Sequence, residues 1–261
     1  MKLHGCSALI TGASAGIGRE FARQLAPRAG ALVLVARRNE RLLQLQAELR
    51  RTNPKVNVHV RAADLREPGD IEALYSWLQS EKIEIDFLIN NAGVGDHGPF
   101  ASSDLARVDD MIRLNIGALT ALTHRLVQPM IARRHGAVLN VSSSAGFLPI
   151  PDMAVYAATK AYVTSFSEAI RAELRDSGVS VTSLCPGPVQ TEFNDIAKRP
   201  GTAGISAPGF THVSVEAVAR AGLRAVEGDR PIVVPGAVMR LAMLLVRLTP
   251  MPLLRLASQF R

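Results

Sequence analysis

The sequence is poor in the residues that build disulfide frameworks and metal sites. Only two of its 261 residues are cysteines, Cys6 and Cys185, and each belongs to an apolar stretch that predicts a strand. We therefore expect buried free thiols in a reducing compartment rather than a disulfide. The six histidines are scattered along the chain without metal-ligand spacing. The sequence thus predicts that the protein binds no metal.

The chain also lacks a hydrophobic run that could span a bilayer, and its N-terminal apolar stretch is too short for a signal peptide. These absences predict a cytoplasmic protein, or one bound peripherally to the cytosolic face of a membrane. Acidic residues are the minority, with 23 against 30 lysines and arginines, which gives a net charge of +7. A basic surface attracts anions, but no pattern resembles a nucleic-acid-binding module, so we expect no nucleic-acid partner.

The chain does contain a regular alternation of strand-like and helix-like segments. Apolar runs such as ALVLVA at 31–36 alternate with amphipathic stretches such as the one after Asn39, which is expected to be an N-cap. This alternation predicts an α/β fold, a doubly wound Rossmann-like parallel sheet with helices on both faces. Ligands bind beyond the carboxyl ends of such strands. The predicted strands cover 7–11, 31–36, 56–62, 86–90, 137–142, 179–185 and 232–234, and the main predicted helices begin near Gly16 and at Asn39 and cover 67–81, 104–133 and 153–176.

Several short motifs occur in order along the chain and are far more specific together than any one is alone. TGASAGIG joins the first predicted strand to the first helix, NNAG ends the fourth strand, YAATK lies in a helix, and CPGPVQT follows the sixth strand. With Asn115 and Ser143, this set resembles the short-chain dehydrogenase/reductase family over residues 5–235. The glycine spacing is Gly-x-x-x-Gly-x-Gly, which differs from the commoner dinucleotide fingerprint Gly-x-Gly-x-x-Gly.

The resemblance implies catalytic roles for four residues. Tyr156 is expected to donate a proton to a carbonyl oxygen as a hydride arrives from a nicotinamide. Lys160 lies one helical turn later on the same face and is expected to lower the pKa of that phenol. Ser143 is expected to stabilise charge on the substrate oxygen, and Asn115 to hold a water that links the lysine to solvent. The serines on either side compete with Ser143, and the family pattern favours the middle one.

The predicted cofactor is NADP(H). An acidic residue after the second strand would bind the ribose 2′-hydroxyl of NAD, but the chain has Ala36 there, followed by Arg37 and Arg38. An arginine suits a 2′-phosphate, so Arg37 is the expected main contact, with help from Ser14. Arg38 is explained equally well as a solvated charge at a helix start. The resemblance adds further cofactor-binding positions: Gly12, Gly16, Ile17 and Gly18 in the glycine turn, Asp64 and Leu65 at the adenine, Asn91, Ala92 and Gly93 beside the adenosine, Pro186, Gly187, Val189 and Thr191 at the nicotinamide, and Tyr156 and Lys160 near its ribose.

The substrate is less clearly encoded. Between Ser143 and Tyr156 the segment FLPIPDMAV is mostly apolar, and a flap over 194–214 carries Ile196, Ile205 and Phe210. A lipophilic ketone or a 3-oxoacyl group fits these residues better than a sugar, while simple packing explains them equally well. We therefore predict an oxidoreductase that reduces a small carbonyl substrate or oxidises the alcohol. The alternatives are a non-catalytic NADP sensor and a membrane-associated binding protein.

The length fits one large α/β domain or two small ones, and the motif order favours a single domain over 1–235 that includes the flap. Residues 236–261 form a predicted C-terminal helical extension that contains arginines and no acidic residue. This extension could cover the pocket, form a subunit interface or lie on an anionic membrane, and the two packing roles are favoured. Long helices in the family pair across a dimer axis, so a homodimer or homotetramer is expected.

Overall fold

The computed structural model describes residues 1–199, 209–250 and 252–254, and it confirms the predicted doubly wound α/β fold. The described part contains seven strands: β1 (Ser7–Thr11), β2 (Ala31–Ala36), β3 (Asn57–Ala62), β4 (Phe87–Asn90), β5 (Gly136–Val141), β6 (Val179–Leu184) and β7 (Ile232–Val233). They form one sheet in the order β3-β2-β1-β4-β5-β6-β7, and every neighbouring pair is parallel.

Helices connect the strands and cover both faces of the sheet. Those in the described residues are α1 (Gly16–Leu25), α2 (Asn39–Thr52), α3 (Pro68–Ser80), α4 (Leu105–Ile112), α5 (Leu119–Arg133), α6 (Ala154–Glu173), α7 (Glu192–Ala197), α8 (Val215–Glu227) and α9 (Ala237–Leu248). Part of the predicted flap is therefore helical, since α7 includes its first residues. Residues 200–208, among them Ile205, lie outside the described residues, as does the side chain of Phe210.

The central strands are buried on both faces, and their side chains alternate between two apolar clusters. Ile10 and Leu34 pack with helices α1, α2 and α8 on one face, whereas Leu9 and Val33 pack with α3 and α5 on the other. Burial of a large aliphatic side chain contributes about 1.5–3 kcal/mol, so this two-sided packing is a main source of stability. Both cysteines are buried and free, as predicted.

The order in which the chain adds strands to the sheet reverses at β1. Strand β1 pairs with β2 on one side and with β4 on the other, so the connections after β1 and β4 diverge to opposite faces. Such a switch point leaves a crevice beyond the carboxyl ends of the two strands. The glycine turn follows β1 and NNAG ends β4, so the fold brings these two motifs together at the crevice.

Two local predictions are corrected. The segment predicted as one helix over 104–133 is helical as expected, but it consists of α4, a π-helical turn over Arg113–Ala118 and α5. The extra residue in a π turn breaks the regular periodicity that the sequence pattern assumes. Asn39 is not the N-cap of α2, because its backbone is already helical and Arg38 occupies the cap position without a side-chain capping bond.

A glycine substitution tests the packing between α5 and β6. Gly178 has φ +80°, and a Cβ atom there would overlap the carbonyl oxygen of Arg134. We expect Gly178→Ala to lower the free energy of unfolding by more than about 1 kcal/mol, because alanine is strained at this φ and must displace backbone. Gly69→Ala is the control, since its Cβ meets open space in α3, and it should be neutral or slightly stabilising. Equal denaturant midpoints for the two variants would contradict this account.

Candidate active site

The glycine turn is held against the loop after β4 by Thr11, a residue that the motif analysis did not single out. Its hydroxyl accepts hydrogen bonds from the backbone N–H groups of Asn91 and Ala92, both at 2.9 Å. The side-chain amide of Asn91 donates to the backbone carbonyl oxygens of Thr11 at 2.9 Å and Gly12 at 3.4 Å. Asn91 therefore holds the turn in place. The threonine before the first glycine, at the end of β1, was the sequence signal that could have identified Thr11.

Two glycines of the turn are required by geometry for different reasons. Gly12 has φ +66°, in the left-handed region that favours glycine. A Cβ at Gly18 would overlap the carbonyl oxygen of Gly12, so Gly18 allows α1 to pack directly against the turn. Gly18 is not among the residues that line the cofactor cavity. Its structural role is to let α1 pack closely against the glycine turn.

One cavity of about 700 Å³ connects the glycine turn to the Ser143–Tyr156 region. Apart from Gly18 and Asn115, every predicted site residue lines this cavity. The fold thus brings together residues from the loops after β1, β2, β3, β4, β5 and β6, as expected for the carboxyl edge of a parallel sheet.

The structure separates the roles of the three neighbouring serines. The Ser142 hydroxyl is buried and bonded to the Lys160 carbonyl oxygen at 2.8 Å and to the Thr164 hydroxyl at 2.7 Å, so it ties β5 to α6. The Ser143 side chain lies close enough to Tyr156 to oppose the rise of the phenol pKa, and it accepts the backbone N–H of Ala145 at 3.1 Å. Of the three, Ser143 is therefore the one whose side chain influences the pKa of the phenol.

Burial controls the protonation of Tyr156 and Lys160. It raises the pKa of Tyr156 to about 12, an effect that the hydrogen bond from Ser143 only partly opposes. Burial also lowers the pKa of Lys160 to about 8. The expectation that Lys160 lowers the phenol pKa is therefore wrong for this structure, because desolvation dominates. The lysine Nζ donates to the Val141 carbonyl oxygen at 2.9 Å and lies 5.8 Å from the centre of the tyrosine ring.

Asn115 lies in the π turn and is almost fully buried. Its side-chain amide donates to the Val94 carbonyl oxygen at 2.9 Å and to the Thr159 hydroxyl at 3.0 Å, while its oxygen accepts the Val94 N–H at 3.0 Å. A Cβ at Gly93 would lie 3.1 Å from the Asn115 side-chain oxygen and 3.4 Å from the Lys160 Nζ. Asn115 and Lys160 thus converge at Gly93, and the water-holding role of Asn115 stays a prediction.

The two arginines after β2 differ in their partners. Arg38 donates to Glu192 at 3.0 Å and to the Ser14 hydroxyl at 3.3 Å, and Arg41 also pairs with Glu192 at 2.7 Å. Arg37 is exposed, and among the described residues no hydrogen bond or ion pair occupies its guanidinium. Glu192 and Arg41 were missed by the motif analysis, because a contact between α2 and α7 leaves no local pattern.

The predicted adenine and nicotinamide ends of the cavity are also braced. Arg66 hydrogen-bonds the carboxylate of Asp64 and holds the pKa of that acid below its usual range. The Ser144 N–H donates to the Pro186 carbonyl oxygen at 2.8 Å. Thr191 caps α7 by accepting the N–H of Phe193 at 3.3 Å. These contacts fix the loops after β3, β5 and β6 at the edges of the cavity.

The substrate side of the cavity is mainly apolar. The aromatic ring of Phe193 packs 5.4 Å from the ring of Tyr156, centre to centre. Ile196 lines the cavity but remains half exposed. The base of the flap is anchored by a buried carboxylate, because Asp96 accepts two hydrogen bonds from Arg199 and pairs with Arg107 at 3.3 Å. The cavity lining also includes the apolar residues Val94, Leu148, Ile150, Met153, Met239 and Met243 and the polar residues His97, Asp152, Asn194, Thr211 and His212.

Residues 7–200 match the family model described as short chain dehydrogenase. The chain belongs to the short-chain dehydrogenase family. It is therefore an oxidoreductase of this family with a nucleotide-binding Rossmann-type sheet, as the motifs predicted. In the described residues no cluster of histidine, cysteine or acidic side chains could hold a metal ion, and no helix has the length and apolarity to cross a membrane.

Similar proteins include reductases of different substrates. Sulfoacetaldehyde reductase 2 of Chromohalobacter salexigens is 37% identical over 187 residues, which cover 71% of this chain and 73% of that protein. The very-long-chain 3-oxoacyl-CoA reductase of Anas platyrhynchos is 34% identical over 200 residues, which cover 74% of this chain and 63% of the duck protein. A short-chain dehydrogenase from Sphingobium yanoikuyae, solved in complex with NADPH, has a TM-score of 0.82 and 34% identity, with 92% of each chain covered.

The lowered pKa of Lys160 can be tested directly. The folded protein should release the Lys160 proton near pH 8, whereas the ordinary pKa of a lysine side chain is 10.5. Between these pH values only the unfolded chain holds the proton, so this group makes stability rise with pH across that window. We expect a lysine side-chain NMR resonance that titrates near pH 8 and disappears in Lys160→Met. If the missing resonance instead titrates near 10.5, the lysine is not desolvated.

Proposed function

We propose that this short-chain dehydrogenase uses NADP(H) to reduce a lipophilic ketone or 3-oxoacyl group, or to oxidise the corresponding secondary alcohol. The observation that carries the proposal is the placement of Ser143 and Tyr156 in the same cavity as the glycine turn and Arg37. A non-catalytic NADP sensor would need only the cofactor half of this cavity. The intact pair of hydroxyls at the apolar end therefore favours an enzyme.

The proposed chemistry assigns one step to each side chain. A bound reduced nicotinamide supplies the hydride for the carbonyl carbon. Tyr156 gives its phenol proton to the carbonyl oxygen, and its raised pKa keeps that proton in place at neutral pH. Ser143 donates a hydrogen bond to the same oxygen as charge develops there. Lys160, when protonated, compensates the tyrosinate that is left, and reprotonation of the phenol completes the cycle.

The preference for NADPH rests on charge at the end of β2. Ala36 presents no carboxylate to a ribose hydroxyl, and the exposed guanidinium of Arg37 borders the cavity. Arg38 is already engaged by Ser14 and Glu192, so Arg37 is the more available partner for a 2′-phosphate. The similar Sphingobium yanoikuyae enzyme was solved with NADPH, which supports the same choice.

The lipophilic substrate class rests on the cavity walls. Leu148, Ile150, Met153 and Phe193 border the space beside Tyr156. Such a surface favours apolar groups, because their transfer from water is driven by the hydrophobic effect. The similarity to a very-long-chain 3-oxoacyl-CoA reductase agrees with this class, and the similarity to a sulfoacetaldehyde reductase does not. We therefore base the proposed substrate class on the residues that line the cavity of this chain.

The proposal keeps residues 1–235 as the catalytic domain and a homodimer or homotetramer as the assembly. The outward face of α6 carries exposed small side chains at Ala158, Ala161, Ser165 and Ala169. Small residues let a second helix approach closely, which suits pairing of α6 between subunits. Close backbone approach is therefore the argument for assembly through this face.

Catalysis is tested by removing one hydroxyl at a time. A panel of ketones, followed through NADPH absorbance, first identifies the best substrate. Tyr156→Phe should retain NADPH binding and lose about 10²–10⁴-fold in turnover, because only the proton donor is removed. Ser143→Ala should lose about 10²–10³-fold. Ser144→Ala is the matched control, and its loss should be much smaller. Wild-type turnover in Tyr156→Phe would disprove the assigned acid.

Cofactor choice is tested by dissociation constants for NADPH and NADH at one ionic strength. Arg37→Ala should weaken NADPH binding by roughly ten- to a hundredfold and leave NADH binding nearly unchanged, because one charge-assisted contact is lost. Adding Ala36→Asp should move the preference further towards NADH through repulsion of the phosphate. Arg51→Ala removes the same charge at the other end of α2 and should not change the ratio. Equal wild-type affinities for both cofactors would refute the proposal.

A further inference from the structure

Helix α9 presents two apolar faces, and the described part of the chain covers only one of them. Met239 and Met243 are buried and line the cavity, and a Cβ at Gly187 would lie 2.9 Å from the Met239 side chain. This face holds the helix against the loop after β6. The helix is thus part of the wall of the proposed substrate site and is fixed relative to it.

The opposite face of α9 is exposed and consists of large aliphatic side chains. Leu241 is 60% exposed and Leu245 is 58% exposed, and three further residues of the helix share this face. At 100° per residue, all five fall within about one third of the helix circumference. A contiguous exposed stripe of this kind is unusual on a soluble surface and indicates an interaction site. The stripe consists of Val238, Leu241, Leu244, Leu245 and Leu248.

The charge of the segment identifies the class of partner. Arg240 and Arg247 are exposed and lie seven residues apart, so they occupy one side of α9, along the border of the leucine stripe. From Arg230 to the C-terminus the sequence contains five arginines and no acidic residue. A leucine stripe with arginines along its edge matches an interface between acyl chains and anionic headgroups, where arginines extend towards phosphates.

A second copy of the chain fits this face less well. A two-fold interface would place the same stripe of each copy against the other, and the bordering arginines would approach each other. The segment offers no carboxylate to offset that repulsion, and in the described part of the chain the acidic side chain within ion-pair distance of Arg247 is Glu168, at 3.9 Å, with both side chains about half exposed. An anionic bilayer, in contrast, supplies both the apolar layer and the negative charge.

We propose that the exposed stripe of α9, with Arg240 and Arg247, docks the protein on the surface of an anionic phospholipid bilayer. The helix would lie in the plane of the interface rather than cross it. Because its other face lines the cavity, docking would place the catalytic site next to the lipid phase, from which a lipophilic substrate could enter. The entry of a substrate from the lipid phase rests on the proposed function, whereas docking itself does not.

Vesicle sedimentation without cofactor or substrate tests the docking alone. Wild-type protein should partition onto vesicles of phosphatidylcholine mixed with phosphatidylglycerol, and more weakly onto phosphatidylcholine alone. Leu241→Ser with Leu245→Ser should lower the partition coefficient at least about tenfold, because two inserted side chains lose their apolar contact. Arg240→Gln with Arg247→Gln should lose about tenfold on the anionic vesicles only, and added salt should weaken wild-type binding in the same way.

The control variant is Leu43→Ser with Leu105→Ser, which removes two exposed leucines from other helices and should bind as the wild type does. Turnover of a soluble ketone should be unchanged in Leu241→Ser with Leu245→Ser, which separates docking from catalysis and shows that this variant folds. The proposal is overturned if the wild type ignores anionic vesicles, or if the control variant loses as much binding. A lower molar mass of the stripe variant in light scattering would instead identify the face as a subunit interface.

Discussion

Burial of the sheet on both faces is the constraint from which the rest of the molecule follows. Strands β1 and β2 send alternate side chains into two separate apolar clusters, so neither face has room for a polar site. Polar chemistry is therefore displaced to the carboxyl ends of the strands, where the connections leave the sheet. The reversal of strand order beside β1 opens the crevice there, and the Thr11 hydroxyl holds its two walls together.

The same exclusion of water determines the protonation of the reacting groups. Desolvation disfavours the charged forms of both Tyr156 and Lys160, so it acts on the two pKa values in opposite directions. A spacing such as Tyr-x-x-x-Lys reveals that two side chains share a helix face, but it carries no information on how much water surrounds them. The sequence therefore predicts the pair correctly and predicts the direction of the tyrosine shift wrongly.

The strands and motif loops could be predicted because each depends on a local pattern of the chain. Short apolar runs mark the central strands, and glycine marks a turn at Gly12 that other residues adopt only with strain. The π turn over Arg113–Ala118 has no such signature, and the hydrogen-bond partners of its Asn115 side chain, Val94 and Thr159, are distant along the chain. The ion pairs of Glu192 with α2 are invisible for the same reason, since more than 150 residues separate Glu192 from Arg38.

For the C-terminal segment, the sequence leaves several roles open, and the structure shows that two of them can be combined. Composition marks residues 236–261 only as basic and apolar, and pocket cover, subunit contact and membrane contact then compete as explanations. However, different faces of one helix can have different partners. The two methionines that line the cavity occupy one side of α9. The exposed leucines occupy the opposite side, where we propose the contact with a bilayer. Pocket cover and surface docking are therefore compatible, because the methionines and the exposed leucines lie on opposite sides of α9.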